Sequence, residues 1–170
     1  DTVSSPPNKV PFFETSFSMI ENDVQLQQLL PLLQKGFSFD LETTSIDPQD
    51  ADIVAISISA SVGVSFVIDC RMNVAASSDL FNLNASRELH PLFKPLVPLL
   101  ENPDIPKILH NAKYEYQVLH YYNICLKGIF FDTMIAAHLI DSRQSIGLKS
   151  LIKTHFDYDM VDFDALMSGY

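Results

Sequence analysis

The sequence contains only two cysteines, and neither belongs to a metal-binding or redox motif. Cys70 and Cys125 lie outside any Cys-x-x-Cys pair or Cys/His cluster. The simplest interpretation is a protein that keeps reduced thiols in the cytoplasm, because nothing in the sequence supports a disulfide. The chain also lacks an apolar run long enough to span a membrane, and its polar start, DTVSSPPNKV, does not resemble a signal peptide.

Basic residues are also scarce. The chain has 11 Lys and Arg residues against 21 Asp and Glu residues, which gives a formal net charge of −10. This balance argues against a protein that coats a nucleic-acid backbone without specificity. It remains compatible with a protein that grips a short strand locally, or with one whose acids hold metal ions that then meet phosphate.

The length and composition predict one main domain. The chain has 170 residues, 47% of them hydrophobic, which is enough for a sizeable core. It does not begin with Met, so we expect a fragment of a longer chain. Residues 1–10 are predicted to be a linker and residues 11–170 to form the domain.

The order of the predicted elements indicates an α/β fold. A helix is predicted over residues 21–36, with Asn22 or Asp23 as its N-cap, a kink at Pro31 and an end at Gly36. The strands FSFDLE, ADIVAISISA and VGVSFVIDC follow with short separators, which favours a three-strand antiparallel meander. Helices and strands then alternate, which predicts a mixed sheet with helices on its faces.

Two acids at the end of the first predicted strand form a candidate metal site. Side chains alternate along a strand, so Asp40 and Glu42 point to one side while Phe39 and Leu41 point to the other. Neighbouring carboxylates near a core repel and raise each other's pKa. A shared divalent ion, Mg²⁺ or Mn²⁺, would relieve this repulsion. The alternative is that both acids face water at the rim of the strand.

A second candidate stretch is KILHNAKYEYQVL, residues 107–119. Asn111 follows a predicted strand and opens a helix, and Glu115 lies one helical turn later. Residues at this spacing share a helix face, so both can line one site. The alternative is an ordinary helix start, with Asn111 as an N-cap and Glu115 in solvent.

Taken together, these stretches resemble the 3′→5′ proofreading exonuclease domain of bacterial family A DNA polymerases. This domain belongs to the DEDD exonucleases and implies a ribonuclease H-like fold. FSFDLETTSID resembles the first motif, Asp-x-Glu, and HNAKYEYQVL resembles the second, Asn-x-x-x-Asp. GIFFDTMIAAHLID and IGLKSLIKTHF resemble the segments that follow, so the resemblance covers about residues 18–170.

The resemblance implies hydrolysis assisted by two divalent metal ions, which releases nucleoside 5′-monophosphates from a single-stranded 3′ end of DNA. Asp40 and Glu42 would ligate the first ion, with Asp40 bridging to the second. Glu115 would serve the second ion through water. The resemblance also implies a polymerase domain in the same parent chain.

Three further positions match substrate-binding positions of the family. Ile46 matches an apolar residue that wedges against the 3′-terminal base. Asn111 would help to position the strand. Phe163 matches an aromatic that packs on the terminal nucleotide, and such stacking tolerates any base.

The sequence departs from the family pattern in two places. The second motif ends in Glu115, where the family has Asp. The third motif, Tyr-x-x-x-Asp, has one literal match, Tyr158 and Asp162, but this match precedes Phe163, whereas the family motif follows that aromatic. We therefore expect the chain to end before the third motif. Two alternatives stay open: a weakened or inactive domain that acts as scaffold or binds single strands, and a relative that trims RNA.

Overall fold

The computed structural model describes residues 15–71 and 87–160 of the chain. The predicted linker, Asp162 and Phe163 lie outside the described residues. The chain divides into two compact units, one spanning Thr15–Thr133 and the other including the segment from Met134 onward.

Within the described residues, the first unit is built on one six-stranded sheet in the order β1-β4-β3-β2-β5-β6. The strands are β1 (Ser16–Met19), β2 (Phe37–Thr43), β3 (Ile53–Ser61), β4 (Val64–Asp69), β5 (Lys107–Leu109) and β6 (Ile129–Asp132). β2, β3 and β4 form the predicted antiparallel meander. β5 and β6 extend it in parallel from β2, and the short β1, which the sequence did not predict, pairs in parallel with β4. The mixed sheet is therefore confirmed.

The described helices include one before β2 and others that alternate with the last two strands, as the sequence predicted. They are α1 (Asp23–Leu29), α2 (Val97–Glu101), α3 (Ala112–Tyr121), α4 (Thr133–Ile140) and α5 (Leu148–Phe156). Within the described ranges, none is long and apolar enough to cross a membrane.

The helix predicted over residues 21–36 is divided in two. Asn22 caps α1, because its side chain accepts a hydrogen bond from the Gln25 N–H at 3.1 Å. Beyond Leu29 the chain continues as a 3₁₀ helix, Leu30–Lys35, with Pro31 in its first turn. A proline has no N–H and its ring crowds the carbonyl four residues back, so the α-helix does not continue through it.

The core of the first unit lies along one side of β2. Phe37, Phe39 and Leu41 are buried together with Ile56 of β3 and Leu119 of α3. The alternating pattern of β2 therefore separates an apolar face from the face that carries the two acids, as the sequence predicted. Removal of this apolar area from water stabilises the fold by roughly 25 cal/mol per Å².

Candidate active site

Both acids of the first motif lie at the end of β2 on its solvent-accessible side. Asp40 and Glu42 are exposed, while the intervening Leu41 is buried. In the antiparallel register, Asp40 lies opposite Ser57 of β3, and the pairing with β3 shifts immediately after Glu42. The predicted common side is confirmed, and it forms a rim that solvent reaches.

The acid of the second motif is the buried one. Glu115 of α3 is only 3% exposed. Its carboxyl adjoins that of Asp40, so that one can donate a hydrogen bond to the other when it carries a proton. Among the described residues, the buried Oε2 of Glu115 has no hydrogen-bond partner. The alternative in which Glu115 is a solvated helix residue is therefore wrong.

Burial and like charge perturb this pair strongly. Burial raises the pKa of Glu115 to about 8, and the charges of Asp40 and Asp132 add to the rise. Partial loss of water around its carboxyl, followed by the charge of Glu42, raises the pKa of Asp40 to about 6. Without a cation, the pair therefore retains a proton near neutral pH.

The start of α3 is fixed by Asp132 from the end of β6. The Asp132 carboxylate accepts hydrogen bonds from the N–H groups of Asn111 at 3.2 Å and Ala112 at 2.8 Å. Asn111 occupies the left-handed region, with φ 70°, which asparagine tolerates better than most residues. Its side chain makes no capping hydrogen bond, so Asn111 is at the N-cap position without acting as a side-chain cap. These contacts set the helical turn that leads to Glu115.

His110 lies beside this region but is held by Thr133. Its Nδ1 is 2.8 Å from the Thr133 hydroxyl, which in turn donates to the Leu109 carbonyl at 3.2 Å. This chain of bonds assigns the proton to Nδ1 and leaves Nε2 as the acceptor. Nε2 is buried and has no partner among the described residues, and burial lowers the pKa of the ring.

The other predicted site residues are placed as follows. Ile46 follows β2 and is 96% exposed. Tyr158, from the doubtful third-motif match, lies in the second unit and is exposed. Phe163 and Asp162 lie outside the described residues.

Two residues near the site were not assigned by sequence reasoning. Tyr114 packs against the core, and its hydroxyl donates to the Ser45 carbonyl at 2.5 Å. Arg87 follows a segment whose sequence has no clear helical or strand periodicity. Its guanidinium binds the loop after β2. Neither role has a local sequence signal, because each depends on contacts between distant segments.

The residues present fit a hard divalent cation. Asp40, Glu42 and Glu115 offer the carboxylate oxygens that Mg²⁺ and Mn²⁺ prefer. The described residues contain no group of three His, Cys, Asp or Glu side chains already arranged around one ion. However, the unpartnered buried Oε2 of Glu115 and the raised pKa values of Glu115 and Asp40 are the features that a bound cation would relieve.

Comparison with solved structures identifies the fold class. The structure superposes on RNase D of Escherichia coli, an exoribonuclease, with a TM-score of 0.61 at 16% identity, covering 89% of this chain and 36% of RNase D. It superposes on NrnC of Brucella melitensis with bound Mg²⁺ with a TM-score of 0.60 at 18% identity, covering 90% of this chain and 67% of NrnC. The fold is therefore that of the ribonuclease H-like exonucleases.

Comparison of sequences identifies the family. Residues 17–168 match the 3′-5′ exonuclease family of DNA polymerase A. DNA polymerase I of Chloroflexus aurantiacus is 36% identical over 136 residues, which is 79% of this chain and 13% of that protein. DNA polymerase I of Pseudomonas aeruginosa is 32% identical over 133 residues, which is 76% of this chain and 14% of that protein. The chain belongs to the 3′-5′ exonuclease family of the DNA polymerase I type, and it spans a small part of the length of these relatives.

Proposed function

We propose that this chain is a metal-dependent 3′→5′ exodeoxyribonuclease with a proofreading role. It would hydrolyse the 3′-terminal phosphodiester of single-stranded DNA and release nucleoside 5′-monophosphates. The observation that carries the proposal is the buried Glu115 carboxyl, which has an unpartnered oxygen and adjoins Asp40 at the end of β2. Membership of the exonuclease family supports the reaction type.

The three acids have separate tasks in this proposal. Asp40 and Glu42 would hold one ion, Asp40 would bridge to a second, and Glu115 would serve the second ion through water. Bound ions would activate a water and stabilise charge on the attacking and leaving oxygens. The exposed rim at Asp40 and Glu42 lets ions and a DNA end enter from solvent. Glu115 must release its proton before it can act as a ligand.

Substrate contacts would come from residues beside the acids. Exposed Ile46 would wedge against the terminal base, and the amide of Asn111, free of any capping role, would orient the strand. Phe163 would pack on the terminal nucleotide. These contacts do not read base identity, as proofreading requires. The similarity to DNA polymerase I supports a DNA substrate, a polymerase domain in the same parent chain and a cytoplasmic location.

A second candidate is a weakened exonuclease domain that acts as scaffold or binds single strands. The replacement of Asp by Glu115 in the second motif favours it, because the extra methylene shifts the carboxylate, and catalytic groups tolerate errors of only about 0.5 Å.

Metal titration separates the two candidates. Mg²⁺ and Mn²⁺ would be titrated by calorimetry into the 170-residue chain and its Asp40→Ala variant, while loss of 3′ nucleotides from labelled single-stranded DNA is followed. We expect the wild type to bind metal and shorten DNA, and the variant to do neither. Metal-independent DNA binding without cleavage would establish the second candidate. Faster cleavage of RNA of the same sequence would overturn the DNA preference.

A further inference from the structure

Residues 44–52, between β2 and β3, form a closed loop that we call the 44–52 loop. Its two ends are joined, because the Thr44 N–H donates to the Asp52 carbonyl at 3.0 Å and the Asp52 N–H donates to the Thr44 hydroxyl at 2.9 Å. Inside the loop, the Asp47 N–H donates to the Ser45 hydroxyl at 3.0 Å. The loop therefore has a defined internal structure.

The 44–52 loop presents one apolar side chain to solvent. Ile46 is 96% exposed, although it lies between hydrogen-bonded neighbours at Ser45 and Asp47. A fixed and fully exposed isoleucine gains nothing from the fold itself. In the proposed function, this exposed side chain would contact the 3′-terminal base of the substrate.

Tyr114 ties the first half of the loop to α3. Its hydroxyl donates to the Ser45 carbonyl at 2.5 Å and lies 2.5 Å from the Thr43 hydroxyl. Tyr114 directly precedes Glu115, the buried acid of the site. The contacts of Tyr114 therefore fix the position of the loop that carries Ile46 relative to α3, which carries Glu115.

Arg87 ties the second half of the loop. Its guanidinium donates to the carbonyls of Ala51 at 2.7 Å, Pro48 at 3.4 Å and Gln49. Three carbonyls from one loop converge on one side chain. A lysine cannot reproduce this, because its ammonium lacks the planar fork of donors.

The C-terminal end of α3 and its C-cap residue, Tyr122, in turn hold Arg87. The guanidinium carbon lies 5.6 Å from the centre of the Tyr121 ring and 5.4 Å from that of Tyr122, within cation–π range. The Tyr122 hydroxyl accepts from the Ile53 N–H at 3.0 Å, just after the loop. Both halves of the 44–52 loop are therefore anchored to the same helix.

We propose that Arg87 and Tyr114 are positioning residues that hold Ile46 in place against the 3′-terminal nucleotide. This inference rests on the proposed exonuclease function and adds residues that set substrate affinity. Because the loop is ordered before the substrate arrives, less conformational freedom is lost on binding. Loss of either anchor should therefore weaken substrate binding more than the chemical step.

The structural half of the proposal can be tested without DNA. In the 170-residue chain, Arg87→Met should accelerate amide hydrogen exchange at residues 47–52 by about tenfold and leave β2 and β3 protected. Arg143→Met is the matched control, because Arg143 is exposed and bonds to Asp141. Unchanged exchange in the loop of Arg87→Met would overturn the proposal whether or not the chain cleaves DNA.

The functional half is tested by a double-mutant cycle on kcat and KM for single-stranded DNA. Arg87→Met should raise KM about tenfold, within the range expected for one base stack, with a smaller change in kcat. In an Ile46→Ala background it should have no further effect, because the two residues act through one contact. Additive effects would overturn the proposal.

Tyr114→Phe provides a second variant that removes a single hydroxyl. It should show a smaller rise in KM that also vanishes in the Ile46→Ala background. If Arg87→Met does not fold, the double-mutant cycle of Tyr114→Phe with Ile46→Ala tests the proposal by itself. Absence of cleavage by the wild type would instead refute the exonuclease function, while the exchange measurement would still report on the loop anchors.

Discussion

The acids on the strand and the acid on the helix are in opposite environments. Asp40 and Glu42 of β2 face solvent, whereas Glu115 of α3 is buried with an unpartnered oxygen. The strand acids are accessible to ions from solution but are not enclosed. The helix acid is enclosed but protonated near neutral pH. In the proposed function, a cation would complete the site by binding both to the exposed acids of β2 and to the buried acid of α3.

The largest loss of cleavage activity is expected at Asp40, because Asp40 lies beside Glu42 of β2 and beside the buried Glu115 of α3. Asp40→Asn should lower the metal-dependent cleavage rate by about 10³-fold or more, since a metal ion contributes several kcal/mol to the transition state. Glu42→Gln should lower the rate less, by about 10²-fold, because in the proposed function Glu42 would serve one ion only. The measurement is single-turnover cleavage of labelled DNA. Asp104→Asn, at an exposed acid elsewhere, is the control, and equal losses at both β2 acids would contradict the bridging role of Asp40.

The second prediction concerns stability. Replacement of the Glu115 carboxyl should raise the free energy of unfolding at alkaline pH, although it should lower cleavage activity. Because the pKa of folded Glu115 is about 8 and its ordinary value is 4.5, the folded state binds more protons between these values. The contribution of Glu115 to stability is therefore fully present below about pH 4.5, declines as pH rises towards about 8, and is lost above it. The shift corresponds to a cost on the order of 5 kcal/mol at alkaline pH. Glu115→Gln should remove much of this cost.

Urea unfolding at about pH 6 and about pH 9, without metal, measures this effect. We expect Glu115→Gln to exceed the wild type in stability at the higher pH while losing metal-dependent cleavage. Glu42→Gln is the matched control at an exposed acid and should change stability by less than about 0.5 kcal/mol. A wild type whose stability does not fall between the two pH values would show that Glu115 is not a buried, protonated acid.

A smaller effect on the cleavage rate is expected when the side chain of the buried acid, Glu115, is shortened. Glu115→Asp restores the family residue and withdraws the carboxylate by one methylene. We expect the Mg²⁺-dependent rate to rise about tenfold, equivalent to ~1.4 kcal/mol, and the preference for Mn²⁺ over Mg²⁺ to fall. The ratio of rates with the two metals, measured on one DNA substrate, reports this change. A constant ratio and rate would mean that Glu115 already lies at a working distance.

Local sequence pattern predicted the elements that carry the site but not their burial. The alternation in β2 places Asp40 and Glu42 on one side, and the spacing from Asn111 to Glu115 is one turn of α3. Neither pattern predicts which side of the strand or of the helix another segment of the chain covers. The sequence analysis therefore left open whether the strand acids lie near the core or in water at the rim, and whether Glu115 lines a site or faces solvent. The structure places the strand acids at the rim and buries Glu115.

Features set by distant contacts were missed for the same reason. β1 is only four residues long, all exposed, and exists as a strand because it pairs in parallel with β4. Arg87 acquires its role from carbonyls more than thirty residues earlier in the chain, at a separation of 36 from Ala51. No local period encodes such contacts.

The parallel pairing of β2 with β5 also has a consequence for how the chain folds. β2, β3 and β4 are neighbours in sequence, joined by the 44–52 loop and by a short turn, whereas Thr43 and Tyr114 meet across 71 residues. Closing so long a loop is slow, because its entropy is lost before the contacts form. We therefore expect Asp40 and Glu115 to come together after the meander has formed, and the proposed metal binding to recover in the last kinetic phase of refolding.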